Sequence, residues 1–211
     1  MSIATLSKFT VPLASDQSAS NQGMLMPKLK HRFRITFENF GVSGSTTELT
    51  KQVSEAGRPE ITLEKKTIDV YNSKINYAGK PTWSEISVKL RDDVTGSVSK
   101  LVGEQNQKQF DYFEQSSAAS AGDYKFTMRV EMLDGGNGAN TPNVLETWEC
   151  YGCFITKTTY DTLQYGTADP ILITISIQPD NCVQIGPSAG LGTPGTPRPT
   201  GTNATGGGTK A

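Results

Sequence analysis

Apolar and polar residues alternate along several stretches of this chain, at the spacing of β-strands that bury one face. The most regular stretch is 124–132, where five large apolar residues alternate with Lys, Thr, Arg and Glu. Residues 171–177 carry an isoleucine at every second position. Because successive side chains of a strand point to opposite faces, each stretch predicts a half-buried antiparallel strand. Weaker alternation predicts further strands over 28–40, 48–55 and 144–156, the last of them broken at Gly152.

One stretch, from about Val94 to Gln115, has apolar residues at helical spacing instead. Asp92 or Asp93 is placed to cap its first turn, because a carboxylate accepts the unpaired backbone N–H groups there. Two glycines within it each lower helix stability by roughly 1 kcal/mol relative to alanine, so we expect the helix to rest on a sheet. We expect its polar run, 105–109, to face solvent or a partner. The residues that lie along one side of the predicted helix at helical spacing are Val94, Val98, Leu101, Val102, Gln105, Gln109, Tyr112 and Phe113.

The stretch from Gly57 to Asp93 contains two alternating runs separated by turn-like residues. Asn72-Ser73 and Ala78-Gly79-Lys80-Pro81 are typical of turns, so we predict a long hairpin over about 65–81 followed by another strand. No acid–base pair, nucleophile or metal cluster occurs in this stretch. The pattern indicates a segment that pairs strands and meets other subunits.

These elements predict a mainly β domain in which two antiparallel sheets pack as a sandwich or partial barrel. We expect the single helix to cover an edge or an end of it. The domain is predicted to span 28–185, between an N-terminal arm (1–27) and a Gly/Pro/Thr-rich C-terminal tail (186–211). Both ends contain too little apolar surface to fold alone.

The charge of the chain argues against a dedicated nucleic-acid-binding protein, which usually has a basic face and a high pI. The formal net charge is -1 and the pI is about 5.9. Five basic residues do cluster in 28–34, and a phosphate-binding patch there is the less favoured interpretation beside a solvated face or one that pairs with acidic residues. No apolar run reaches the ~18 residues of a membrane span. The N-terminus shows no secretory signal, and three cysteines, an odd number, fit free thiols in a reducing cytoplasm.

The candidate chemistry of the chain is sparse. Cys150 and Cys153 are spaced like a redox or zinc motif, but they lie in a predicted strand, where positions three apart point to opposite faces. Only Cys182 and His31 remain as soft ligands, so we expect structural cysteines and no metal. His31 has no recognisable catalytic partners. Gly79-Lys80-Pro81-Thr82 resembles the end of a phosphate loop, but Pro81 removes an N–H that such a loop needs.

The aromatic residues leave one alternative from another class. Seven Trp and Tyr residues would suit the sugar platform of a carbohydrate-binding β-sandwich, although core and interface positions favour the same residues. Because the candidate catalytic and metal-binding residues are so few, we predict a protein that is not an enzyme and has no cofactor. The seven residues are Trp83, Trp148, Tyr71, Tyr77, Tyr151, Tyr160 and Tyr165.

The central stretch also resembles a known family. The segments RPE-ITLE, V-YN-S, GK-P-TW and IS, and the RDD that precedes the helix, are similar to the tail tube proteins of contractile-tailed, T4-like bacteriophages. The order of elements agrees over about Leu29 to Gln184, and the match is specific only in the central stretch.

This resemblance implies a structural subunit of the phage virion, assembled in the host cytoplasm. Such subunits form hexameric rings that stack into a hollow tube, within which one sheet of each subunit joins its neighbours around the lumen. The hairpin reaches the adjacent ring, with contacts expected from Asp69, Tyr71, Asn72, Tyr77, Lys80 and Trp83.

The resemblance also implies the partners, which are further copies of the chain, the tail sheath protein, and the baseplate and tail terminator proteins. DNA passes through the lumen without specific binding, so we expect an acidic or neutral lumen, because a basic wall would retain the polyanion. Glu60, Glu64 and Asp69 are the expected lumen residues. A baseplate or tube-initiator protein, or a tube homologue from an injection system, would share the fold.

Overall fold

The computed structural model describes residues 27–42, 45–135, 142–166, 168–186 and 191. The chain divides into two compact units, residues 1–32 and 33–211. In the first unit the described residues are 27–32, where the Arg32 amide donates to the Leu29 carbonyl at 3.2 Å. Almost all of the predicted arm and tail lie outside the described residues. Among the helices that are described, none has both the length and the apolar character needed to cross a bilayer.

The described part of the second unit contains eleven strands and three helices, and α2 is by far the longest of the helices. In chain order they are β1 (Phe33–Glu38), α1 (Thr47–Gln52), β2 (Val53–Ala56), β3 (Ile61–Val70), β4 (Ser73–Trp83), β5 (Ile86–Arg91), α2 (Ser97–Gln109), β6 (Phe110–Asp111), β7 (Ser116–Ser117), α3 (Ala121–Tyr124), β8 (Phe126–Leu133), β9 (Val144–Tyr160), β10 (Leu172–Gln178) and β11 (Asn181–Ile185).

Strand β9 is 17 residues long and joins two antiparallel sheets. Its first half pairs with β8 on one side and β11 on the other, and β8 pairs with β1, which gives sheet A. Its second half pairs with β10, and the order continues through β5 to β2, which gives sheet B. The ladder is open, with β1 and β2 as its outermost strands. The predicted mainly β fold of two antiparallel sheets with one substantial helix is confirmed.

The apolar faces of both sheets contribute to one core. Ile173, Ile175 and Ile177 of β10, predicted to share a face, are all buried. The rings of Phe37 and Phe126 each approach that of Phe40, with centroids 5.2 and 4.9 Å away. Burial of each such side chain contributes roughly 1.5–3 kcal/mol, so this core is the main source of stability.

Two N-terminal predictions are wrong. The first strand begins at Phe33 instead of Lys28, because the turn between Leu29 and Arg32 precedes it, and His31 is therefore an exposed turn residue. The predicted strand 48–55 is mostly helix α1, with β2 following from Val53. The apolar residues of this segment, Leu49 and Val53, are four positions apart, a spacing that fits both a helix and a strand. An i,i+3 ion pair between Glu48 and Lys51 (2.7 Å) favours the helix.

The predicted helix 94–115 is too long at both ends. Gly96, at φ 66°, directly precedes the first helical residue, so Val94 lies outside the helix and is fully exposed. After Gln109 the chain enters the short β6–β7 pair, which leaves Tyr112 and Phe113 exposed. Asp93 caps the start as predicted, since it accepts from the Ser97 amide at 2.9 Å and from the Ser97 hydroxyl at 2.6 Å.

Two glycines explain further differences in the strands. Gly152 does not end its strand, because φ 65° and the missing side chain let β9 pass close to Asp180 and continue to Tyr160. Gly79 belongs to no turn. It lies in β4, where one extra residue bulges because Leu63 pairs with Pro81 while Lys65 pairs with Ala78.

Candidate assembly interface

The hairpin β3–β4 is a two-stranded sheet whose strands pair only with each other in the part of the chain that the structure describes. Its register runs from Ile61 opposite Trp83 to Val70 opposite Ser73. The tip is formed by Tyr71, at φ 47° and fully exposed, and Asn72. An isolated two-stranded hairpin is marginally stable in water, so a hairpin of this length is expected to gain a partner.

The outer half of the hairpin has one apolar and one polar face. Ile68 lies opposite Ile75, and together with Val70 and Tyr77 they form the apolar face, whose side chains are 44–56% exposed. On the opposite face the Thr67 hydroxyl contacts Asn76 Oδ1 at 2.9 Å, and Lys74 lies 3.4 Å from Asp69. A contiguous exposed apolar face bordered by polar residues is typical of a protein interaction surface.

The base of the hairpin is fixed to the two sheets. Trp83 is 8% exposed and belongs to the core, and its carbonyl accepts from Gln178 Nε2 at 2.9 Å. Three residues before β3, Arg58 Nη2 donates to Glu146 Oε1 at 2.5 Å. Glu146 is 4% exposed, and the same oxygen accepts from Trp148 Nε1 at 2.6 Å. A buried carboxylate with several donors holds its partners firmly, so the hairpin projects from a fixed root.

All six residues predicted to contact a neighbouring ring lie on this hairpin, and five of them are exposed. Tyr71, Asn72, Tyr77 and Lys80 are exposed, and Asp69 is exposed beside Lys74. Trp83 is the exception. Its side chain is buried in the core of its own chain, so it is not available for contact with a neighbouring ring. The aliphatic residues Ile68, Val70 and Ile75 were absent from that set: alternation in the sequence relates Ile68 to Val70, and the register adds Ile75.

The residues predicted to line a lumen are also on or beside the hairpin. Glu60 is exposed just before β3, Glu64 forms an ion pair with Lys66, and Asp69 lies near the tip. None of the three belongs to sheet B. Strands β3 and β4 also carry four lysines, so these carboxylates lie in a mixed field with more cations than anions.

The second candidate surface is the free side of β9 in sheet B. From Phe154 onward β9 pairs with β10 on one side, and no described strand pairs with its other side. Helix α2 lies along this side, since Asn106 Nδ2 donates to the Thr158 hydroxyl at 3.1 Å. An open groove of about 610 Å³ lies between them. It is lined by Gly103, Asn106, Gln109, Tyr112, Ile155, Thr156, Lys157, Thr158 and Tyr160.

The prediction that 105–109 faces solvent or a partner is wrong for Gln105 and Gln109. Gln105 is fully buried, where it accepts from the Gly41 amide at 3.0 Å and donates to the Tyr124 carbonyl at 2.6 Å. Its amide therefore satisfies the backbone of Gly41 in a loop and of Tyr124 at the end of α3, which no sequence period reveals. The prediction that the helix covers a sheet edge is confirmed by the contacts of Asn106 and Gln109 with β9.

The three cysteines are free and buried. Cys182 lies opposite Cys150 across β11 and β9. Contrary to prediction, Cys150 and Cys153 both point inward, since a register shift beside Gly152 places them opposite Met128 and Phe126. Burial raises the pKa of the Cys153 thiol to about 12, and the contact with Cys182, followed by burial, raises the pKa of the Cys150 thiol. No group of three metal-ligating side chains occurs among the described residues.

The aromatic residues are distributed between the core and separate surfaces. Trp83 is buried and Trp148 packs against the core, while Tyr71 and Tyr77 lie on the hairpin. Tyr160 lines the groove beside β9. This distribution gives the carbohydrate-binding alternative no support.

No protein-family model matches the chain, and no curated protein matches it. Solved structures do match. The tube-terminating cap of the anti-feeding prophage aligns at TM-score 0.58 and 13% identity, over 80% of this chain and 97% of that chain. A chain of the sheath/tube terminator of PVC, an extracellular contractile injection system, aligns at TM-score 0.55 and 13% identity, over 78% and 100%. A chain of the PVC sheath–tube complex aligns at TM-score 0.53 and 12% identity, over 75% and 91%.

At these identities the matches establish the fold and nothing finer. They cover almost the whole of each matched chain, so the shared fold is the complete domain of those proteins. The chain described here therefore has the tube-like fold found in contractile injection systems.

Proposed function

We propose that this chain is a structural subunit that assembles with copies of itself into rings, and that the rings stack into a hollow tube. The observation that carries the proposal is the uncovered apolar face of the hairpin, formed by Ile68, Val70, Ile75 and Tyr77. A hairpin that projects from a fixed root and exposes such a face suits contact with a subunit in an adjacent ring.

In this proposal the ring closes through sheet B, whose edges pair between adjacent copies. Its four strands, β2, β5, β10 and β9, alternate in direction, so its two free edges run antiparallel to each other. When copies stand side by side, the β9 edge of one meets the β2 edge of the next in the antiparallel orientation that continues the sheet. A head-to-tail interface of this kind closes into a ring and leaves no open edge. The hexameric number follows from the sequence resemblance.

We also propose a more specific role for the tube. The tube is part of a contractile particle, with tail sheath, baseplate and terminator proteins as partners, and in a phage virion it conducts DNA. An acidic or neutral lumen remains a prediction. Glu60, Glu64 and Asp69 lie outside sheet B, so they contribute to the lumen only if the hairpin faces the axis of the tube. A mapped lumen dominated by Lys and Arg would overturn that prediction.

A ring that initiates or ends a tube is the second candidate. The observation that favours it is that two of the matched structures are described as tube terminators or caps. Such a ring would assemble laterally through sheet B and would not stack repeatedly.

Deletion of residues 67–79 tests the proposal. The shortened protein is expected to fold, because these residues contribute no side chain to the core, and to lose stacking. The matched control exchanges Thr67 and Asn76 on the polar face for serine and should stack normally. Tubes of normal length from the deletion variant would refute the assigned role of the hairpin.

A further inference from the structure

We propose that Lys157 of one copy forms an ion pair with Glu55 of the next copy across the seam between adjacent subunits of a ring. This inference rests on the proposed function, since it needs the β9 edge of one sheet B beside the β2 edge of another. The Lys157–Glu55 pair is the charge contact that selects the pairing of the β9 edge with the β2 edge.

The cross-strand register places these side chains on one face of sheet B. Ile86, Ile177 and Ile155 form a row across β5, β10 and β9 that points into the core. The adjacent row on the opposite face consists of Ser87, Ser176 and Lys157. The next row on that outer face consists of Glu55, Lys89, Thr174 and Thr159.

On this outer face each outermost strand carries one of the two charges, and interior strand β5 carries the cations Lys89 and Arg91 between them. Glu55 lies on β2, one outermost strand, and Lys157 lies on β9, the other. In the row of Lys157 the interior positions, Ser87 and Ser176, are small and neutral, whereas the row of Glu55 contains the cationic Lys89. A head-to-tail ring brings Glu55 at one edge against Lys157 at the other at every seam.

The two charges differ in how far they are satisfied within one chain. Glu55 Oε2 lies 2.6 Å from Lys89 Nζ, yet its side chain remains 66% exposed and retains acceptor capacity. The exposed Lys157 side chain has no ion-pair partner among the described residues. A lysine from the next copy would complete a Lys–Glu–Lys arrangement across the seam.

The geometry also favours a second copy over an unrelated strand. Asn106 and Gln109 of α2 contact the β9 edge at Thr158 and Ile155, and Lys157 lines the open groove beside them. Strand β2 is four residues long and carries an extra residue at Ser54, because Val53 pairs with Leu90 and Glu55 with Lys89. Short, bulged edges discourage indiscriminate strand addition, so a specific charge contact is a suitable means of selecting the partner.

The test uses two charge reversals in the full-length protein, Glu55→Lys and Lys157→Glu. Each alone places like charges at every seam, and we expect the concentration needed for assembly to rise about tenfold or more. Mixing the two variants creates alternating rings, in which one kind of seam is native and the other is the reversed pair. Assembly is therefore expected to recover in the mixture, and also in the double variant. Light scattering and electron microscopy measure the assembled fraction.

The matched control is Arg91→Glu, which reverses an exposed charge on interior strand β5, and it should assemble like the wild type. Circular dichroism on heating checks that each variant is folded. Zero-length carbodiimide cross-linking of mixed heavy and light wild-type chains gives an independent readout, with a Lys157–Glu55 link between chains as the expected product.

The outcomes separate this inference from the proposed function. A wild-type protein that forms no ring would overturn the proposed function itself. Rings from the wild type and from both single variants at equal concentration, or single variants that are impaired and not recovered by mixing, would overturn the seam ion pair alone. Cross-links from Lys157 to a different protein or to another face of the chain would do the same.

Discussion

The side-chain amide of Gln109 pairs with both backbone groups of Ile155. Its Oε1 accepts from the Ile155 amide at 2.8 Å, and its Nε2 donates to the Ile155 carbonyl at 2.9 Å. This is the pair of bonds that a neighbouring strand would make. One glutamine of α2 therefore substitutes for a strand where β8 has ended and β9 continues.

Gln109→Ala is expected to destabilise the protein by about 1–3 kcal/mol, because it leaves two partly buried backbone groups without partners. Urea unfolding followed by circular dichroism measures the change. The control is Gln107→Ala on the exposed side of the same helix, which should change stability by less than about 0.5 kcal/mol. Equal effects of the two substitutions would contradict the assigned role of Gln109.

Ile68→Ser combined with Ile75→Ser is expected to leave the fold intact and to reduce tube length strongly. The pair forms the centre of the apolar hairpin face and touches none of the buried core. The protein should gain solubility as assembly is lost. Lys65→Ser combined with Lys74→Ser, on the polar face, is the control. The distribution of tube lengths in electron micrographs measures the effect. Loss of tubes only in the control pair would show that the wrong face was assigned.

Asp93→Ala is expected to destabilise the protein at pH 7 and to have less effect in acid. Hydrogen bonds from the Ser97 side chain and backbone lower the pKa of the Asp93 carboxyl. Since the folded pKa lies below the usual 3.8, the stabilisation is present above that pH and is lost as the pH falls through the folded pKa. Unfolding curves for both proteins between pH 7 and about pH 2 measure it. A difference in unfolding free energy between the two proteins that stays constant with pH would contradict this account.

Cys150 and Cys153 are expected to resist alkylation in the native protein. Both thiols are fully buried, and the pKa of Cys153 is raised to about 12, so the reactive thiolate is scarce at pH 8. Iodoacetamide followed by mass spectrometry should label them only after unfolding in guanidinium. Rapid native labelling at either position would show that β9 opens around Gly152.

Sequence periodicity located the elements that have one apolar face and one polar face. Strands β5, β8 and β10 and the central hairpin were predicted within a few residues, because burial on one side leaves a period of two. The last four residues of β9, 157–160, were missed because Lys157, Thr158 and Thr159 carry no such contrast. Strand β11 was missed because its five residues follow β10 after a short break at Pro179.

The candidate interface was only partly predictable for a related reason. Tyr71 and Tyr77 were identified from the hairpin and its resemblance to a family, but the pairing of Ile68 with Ile75 needs the register. Gln105 appears in the sequence as one polar residue among several, and only the fold brings the backbone of Gly41 and Tyr124 to its amide. The edges of sheet B are a property of topology, so Glu55 and Lys157 are 102 positions apart in sequence and become relevant together only in an assembly.

The most direct test of the central claim is electron microscopy of the purified full-length protein, together with its mass in solution. We predict rings or hollow tubes, formed alone or after addition of a preassembled contractile-tail baseplate as template. A protein that stays monomeric under both conditions would contradict the assignment as a tube subunit.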